Sequence, residues 1–273
     1  MSRTAAGADA GRRHPRWPAC GLCPRFAIGL GSSRTRIWTP GRGVVLDVPT
    51  VTFPGAGGIH PVQRGAIVDT AGVGRMLDRL LGRRVSGLGR PLIVLGTPVL
   101  GGPGFRGAAL EALEVLRPRT VLTVPTARAI ALGAGADMSR PLVVVDVGAQ
   151  VTEVALLADG AVADAYRTAL GTADVDDAMP ADDLAAAVAA MVADMRGADR
   201  TPQTRSALRR GVLLAGGGAL RRDIACALTS GLRVPVRPVP APHTAALRGA
   251  GQVLAAAHRH PASAVRAGRP GDD

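Results

Sequence analysis

The chain has 273 residues, enough for one large or two small domains with a substantial core, and carries a formal net charge of +12 at pH 7. All of its basic side chains apart from His are Arg, because the sequence contains no Lys. That excludes a Walker A phosphate loop and Schiff-base catalysis, both of which need a lysine amine. Asn is missing as well. Both residues have A-rich codons, so part of the basic excess reads as mutational bias rather than a nucleic-acid footprint. The few aromatic residues are too scattered to form a stacking platform, and no specific nucleic-acid partner is expected. No apolar run reaches the roughly 18 residues of a membrane-spanning helix.

Residues 1–24 are rich in Arg, Gly and Pro without period and read as a disordered basic arm. The arm has no continuous apolar segment of the kind a secretory leader needs, so a cytoplasmic protein is expected. Its Arg12, Arg13, Arg16 and Trp17 could touch the inner face of the cell membrane, although Pro argues against an anchor helix. The Cys20/Cys23 pair has too few neighbouring ligands for zinc and lacks the helix of a redox motif.

The stretch "FAIGLGSSRTRIW" (26–38) reads as a hairpin with a Gly- and Ser-rich tip, and 43–53 as a further strand. "AGVGRMLDRLLGR" has helical spacing, "PLIVLG" is a buried strand, and "FRGAALEALEVL" is an amphipathic helix. "RTVLTVP" and "TARAIALGAG" give a short strand and a small-residue helix. The second half repeats the grammar with three strands over 142–167 and a helix in "DDLAAAVAAMVADMRG". It then runs through the strand, glycine turn and helix of "GVLLAGGGALRRDIACALTSGL", a short strand at "VPVRPV" and a last helix. A tail over 259–273 reads as disordered. Two similar halves imply two mixed sheets flanked by helices, a first lobe at 25–138 and a second at 139–258, with a cleft between them.

Three turns could serve one ligand. Gly216-Gly217-Gly218 follows an apolar strand and reads as leading at once into a helix, so backbone N–H groups face whatever fills the turn. Asp146 ends a buried strand, where a carboxylate needs a donor, water or a cation such as magnesium held through water. Gly148 opens the turn after it, and Thr152 could bond a phosphate or an attacking water. Gly31, Ser32 and Ser33 form the corresponding turn of the first hairpin. For each turn an ordinary structural role competes with ligand binding.

In this order the turns resemble those of the actin, hexokinase and DnaK-type superfamily, and within it the bacterial MreB-like rod shape-determining proteins. "GLGSSRTRIWTPGRGVVLDVPTVTF" resembles that family's opening Asp-Leu-Gly-Thr hairpin. "QRGAIVDTAGVGRML", "VPTARAIALGAG", "VVVDVGAQVTEVALLADGAV" and "VLLAGGGALRRDI" are similar to later family segments. The resemblance implies an α/β actin-like fold of duplicated RNase-H-like cores around a nucleotide cleft, with reduced outer subdomains because the chain is short. It also implies ATP and magnesium as cofactors, both of which this chain could have lost.

The departures bear on function. The family's hairpin Asp is Gly29, its catalytic Glu is Val124, and the Gly-Gly pair and Thr of its second loop are Ala149-Gln150 and Val151. A cytoskeletal, cell-shape protein is expected, one that binds ATP weakly with impaired hydrolysis and acts as a scaffold or regulator of envelope growth. It would not be an efficient enzyme. Its partners would be other MreB-like or envelope-synthesis proteins, or copies of itself. Two alternatives stay open: an active ATPase or small kinase of the same superfamily, for which Asp69 and Thr152 are the remaining catalytic candidates, and a regulatory pseudo-actin that does not polymerise.

Overall fold

The computed structural model describes residues 24–53, 57–85 and 89–259. The basic arm up to Cys23, with its cysteine pair, and the tail beyond Arg259 lie outside the described residues.

The first half opens with three antiparallel strands, β1 (Arg25–Leu30), β2 (Arg34–Thr39) and β3 (Gly43–Pro49), followed by a small ladder of β4 (Val62–Gln63) and β5 (Ala66–Ile67). The third strand stops at Pro49, short of the expected residue 53, where its partner β2 begins at Arg34. Next come α1 (Thr70–Leu77), a π-helical turn (Asp78–Gly82), α2 (Arg83–Val85), β6 (Leu92–Thr97), α3 (Gly102–Leu113), β7 (Thr120–Pro125) and α4 (Thr126–Gly133). The second half has β8 (Leu142–Val147), β9 (Thr152–Ala158), β10 (Ala161–Thr168), α5 (Ala181–Ala198), α6 (Gln203–Arg210), β11 (Val212–Ala215), α7 (Arg222–Leu232), β12 (Val236–Pro238) and α8 (Ala245–Arg259). Each half builds a five-stranded sheet, ordered β3-β2-β1-β6-β7 in the first and β10-β9-β8-β11-β12 in the second. The two orders are the same, with an antiparallel meander on one side of the first strand and parallel strands on the other.

Strand alternation decides what each sheet face buries. Phe26, Ile28 and Leu30 of β1 pack with Val73 and Leu77 of α1 and with Phe105, Ala109 and Leu113 of α3. Fully burying one such side chain contributes about 1.5–3 kcal/mol. Val143, Val145 and Val147 of β8 likewise pack with Leu184, Val188 and Met195 of α5 and Ile224 of α7.

The opposite faces are covered crosswise. Ala127, Ile130 and Ala131 of α4 pack on Leu142, Val144, Ala155 and Leu157 of the second sheet. Leu247, Ala250 and Leu254 of α8 pack on Ala27, Leu92 and Val94 of the first. The closing helix of each half thus lies on the other half's sheet. The two helices cross closely, since a Cβ on Gly249 would stand 1.8 Å from the Ala129 carbonyl oxygen and one on Gly133 would stand 2.1 Å from that of Ala245. Among the described residues no helix is long and apolar enough to cross a membrane.

Candidate functional site

A cleft of about 310 Å³ lies between the sheets, at the small end for ligand sites. Three backbone turns converge on it. In the first hairpin the Gly31 N–H donates to the Arg34 carbonyl at 3.1 Å, and in the second the Gly148 N–H donates to that of Val151 at 2.9 Å. Each glycine leaves no room for a side chain, because its Cβ would lie 2.9 Å from that same carbonyl oxygen. The third turn is Gly216-Gly217, where Gly216 has φ +82 and a Cβ would meet the Val147 carbonyl at 2.2 Å. Gly217 has open space instead, with nothing within 4 Å of a Cβ.

The expected site residues separate into two groups. Gly31, Ser32, Ser33, Asp146, Gly148, Gly216 and Gly217 all line the cleft. Gly218 is buried, and a Cβ there would run into the Val147 side chain at 2.3 Å. Thr152 is buried on the far face of its strand, where its hydroxyl donates to the Leu170 carbonyl at 2.8 Å, so it is placed to hold that loop rather than a phosphate or a water. Asp69 caps α1, accepting from the Gly72 N–H at 2.7 Å, and pairs with Arg75. It is not among the residues that line the cleft. Val124 is buried in an apolar cluster with Ala27, Leu92 and Leu254. The helix expected immediately after the glycine turn begins only at Arg222, because a 3-10 turn over Gly217–Leu220 intervenes.

Four polar features escaped sequence reasoning. Glu153, the direct cross-strand partner of Asp146, is only 6% exposed and accepts from the N–H groups of Val99 at 2.9 Å and Leu100 at 3.0 Å and from the Thr126 hydroxyl at 3.4 Å. It ties the second sheet to the loop after β6 and to the start of α4. Arg36 lines the cleft from β2 and, together with Arg34, pairs with Asp47. Burial pushes the Asp47 carboxyl up, but the two guanidiniums outweigh it and hold the group below its ordinary range. His243 also lines the cleft, and its Nδ1 is buried without a hydrogen-bond partner. Finally Arg64, in the β4–β5 turn, spans the two halves. Its N–H donates to Gln150 Oε1 at 3.0 Å, and its guanidinium reaches the Ala169 carbonyl and Asp174.

Asp146 is pushed up to about 7, first by burial and then by the like charge of Glu153, with Arg36 pulling the other way. A magnesium ion binds through one or two carboxylates, several waters and ligand phosphates in near-octahedral array. The donors here do not fit that requirement. Position 29 is Gly, Glu153 is occupied by backbone N–H groups, and the carboxylate that remains, Asp146, shares the cleft with the Arg36 guanidinium. Among the described residues no group of three His, Cys, Asp or Glu is placed to hold a metal ion.

The MreB/Mbl protein family matches residues 56–181, a segment that contains α4 and the whole second hairpin. No curated protein sequence matches the chain. MreB5 of Spiroplasma citri bound to ADP is similar in structure at a TM-score of 0.75 and 15% identity, over 86% of this chain and 97% of that one. The MamK double helical filament is similar at 0.71 and 14%, over 84% and 98%. The ethanolamine utilization protein EutJ from Carboxydothermus hydrogenoformans is similar at 0.56 and 15%, over 82% and 87%. At such identities the structural likeness speaks to the fold alone.

Proposed function

We propose that this chain, MreB-like in sequence and actin-like in fold, is a cytoskeletal or cell-shape scaffold whose cleft grips an adenine nucleotide weakly and turns it over poorly. The observation that carries this reading is the convergence of three backbone turns on one cleft, with a buried Val at position 124 where the family resemblance expects the water-positioning Glu. Losing a general acid or base alone typically lowers a rate by ~10²–10⁴-fold. The structurally similar proteins include MreB5 of Spiroplasma citri bound to ADP and to AMPPNP, which supports an adenine nucleotide as the ligand here. MamK as a double helical filament supports self-association. We place the protein in the cytoplasm, with 25–138 and 139–258 as the lobes whose mutual angle a nucleotide would set, and with envelope-synthesis proteins or other MreB-like chains as partners.

Calorimetric titration with ATP, set beside sedimentation with and without the nucleotide, tests this reading. Gly217→Asp is the control, because it adds a carboxylate to a turn that lines the cleft, at a position with room for it. Saturable binding in the parent that is lost in the variant, together with nucleotide-dependent pelleting, is the expected result. No heat in the parent would refute the nucleotide reading.

A second reading, a regulatory pseudo-actin that does not polymerise, is favoured by the Arg64 bridge, which holds the halves together without any ligand. Binding without pelleting would select it.

A further inference from the structure

The two walls of the cleft are built on equivalent strand pairs but carry opposite chemistry. On the second sheet the direct partners Asp146 and Glu153 both face the cleft. At the same places on the first sheet stand Gly29 and Arg36, also direct partners and also in the cleft. Paired residues share a sheet face, so the guanidinium arm rises beside a position that offers no side chain of its own. One wall therefore presents two acids and the other a cation.

Nothing on its own wall fully neutralises that cation. Arg36 Nε lies 3.1 Å from Asp47 Oδ2, while Arg34 Nε takes Oδ1 of the same carboxylate at 2.5 Å. Two guanidiniums on one carboxylate leave a net positive charge. Arg36 Nε makes no hydrogen bond of good geometry, and the side chain keeps 23% of its surface exposed. Guanidinium is permanently charged and offers several N–H donors to phosphate oxygens. The hairpin tip Gly31-Ser32-Ser33 begins five residues before Arg36 and brings its backbone to the same cleft.

We propose that Arg36 supplies the positive charge that a divalent cation would otherwise bring, so that the cleft binds the polyphosphate of a nucleotide without a metal. This rests on the nucleotide reading of the cleft. Its basis is the mismatch between the donors and a magnesium ion together with the cation built into the opposite wall.

The test is calorimetric titration of the full chain with ATP, once in EDTA and once in excess magnesium chloride, on the parent, Arg36→Leu and Gly29→Asp. Thermal melting checks that each variant is folded. The parent should bind in EDTA at least as tightly as in magnesium. Arg36→Leu should weaken the metal-free affinity by about 10–100-fold, as expected for a lost charge-assisted hydrogen bond. Gly29→Asp keeps the test decisive if the first variant fails to fold, since its Cβ would have only Leu247 Cδ1 nearby, at 3.9 Å. It puts a carboxylate beside Arg36 and should abolish binding in EDTA while making binding depend on magnesium. Binding that already needs magnesium in the parent, or that is indifferent to Arg36→Leu, would overturn the inference and leave the nucleotide reading standing. No binding in either buffer would overturn both.

Discussion

Replacing Glu153 by Ala probes the joint between the halves. The wild-type carboxylate satisfies two backbone N–H groups, at 2.9 and 3.0 Å, and a hydroxyl at 3.4 Å from a position 6% exposed. A buried donor left without its partner costs about 1–3 kcal/mol. Leu100 is 43% exposed, so water can reach its amide and lower that cost. Removing the charge opposite Asp146 also relieves a repulsion. The net expectation is a loss of about 2–4 kcal/mol, since the unmet donors outweigh the relief. For a chain of this size that is a fall in melting temperature of roughly 5–12 °C, measurable by calorimetry or circular dichroism. Glu153→Gln keeps an acceptor and should lose less than half as much. The Asp146 carboxyl should titrate lower in both variants, as seen by carboxyl-selective NMR. A change in stability below about 0.5 kcal/mol, the usual range for surface substitutions, would refute the claim that Glu153 joins the halves.

Further expectations concern the same framework. Because the folded Asp146 holds its proton up to about 7 against an ordinary 3.8, its contribution to stability is full below about pH 4, falls as the pH rises to 7, and is level above. Asp146→Asn should therefore match the parent at about pH 3 and exceed it by up to about 4 kcal/mol at about pH 8 in denaturant titrations, and a pH-independent difference would contradict this. Gly249→Val should cost at least about 3 kcal/mol or prevent folding, because its Cβ meets the Ala129 carbonyl. Gly197→Ala, in α5 with open space around it, should instead stabilise by about 0.5–1 kcal/mol. Arg64→Ala should loosen the halves, seen as a larger radius of gyration by X-ray scattering and faster amide exchange around Gln150. An unchanged scattering curve would show that the bridge is not what holds the cleft.

Two mixed sheets were legible in the sequence because strand alternation and glycine turns are local signals, and the actin-like fold because the ordered motifs resemble those of that superfamily. The two hairpins, β6 to α4 and β11 to α7 were read from runs of apolar residues and the glycines that end them. The β4–β5 ladder was not, because two-residue strands carry no period. Helix α6 was missed for a related reason, since "QTRSALRR" buries only Thr204, Ala207 and Leu208. The packing of α8 on the first sheet and against α4 joins residues more than a hundred positions apart, and only the small residues at the helix crossing hint at it. In the cleft, sequence reasoning stopped at Thr152 when its neighbour Glu153 was the residue facing inward. Parity could have decided this, because Glu153 is the charged residue within the buried strand "TEVALLA". Arg36 was overlooked because an arginine in a hairpin usually points to water. Its meaning comes from comparing it with Glu153 on the duplicated sheet.

The most direct test of the account is to hold the full chain at saturating ATP, quench with acid at intervals, and separate the protein-associated nucleotide by chromatography. A cleft that grips nucleotide but carries a buried Val at position 124, where the resemblance expects the catalytic Glu, should return intact ATP over hours. Stoichiometric ADP within minutes, or no bound nucleotide at all, would contradict it.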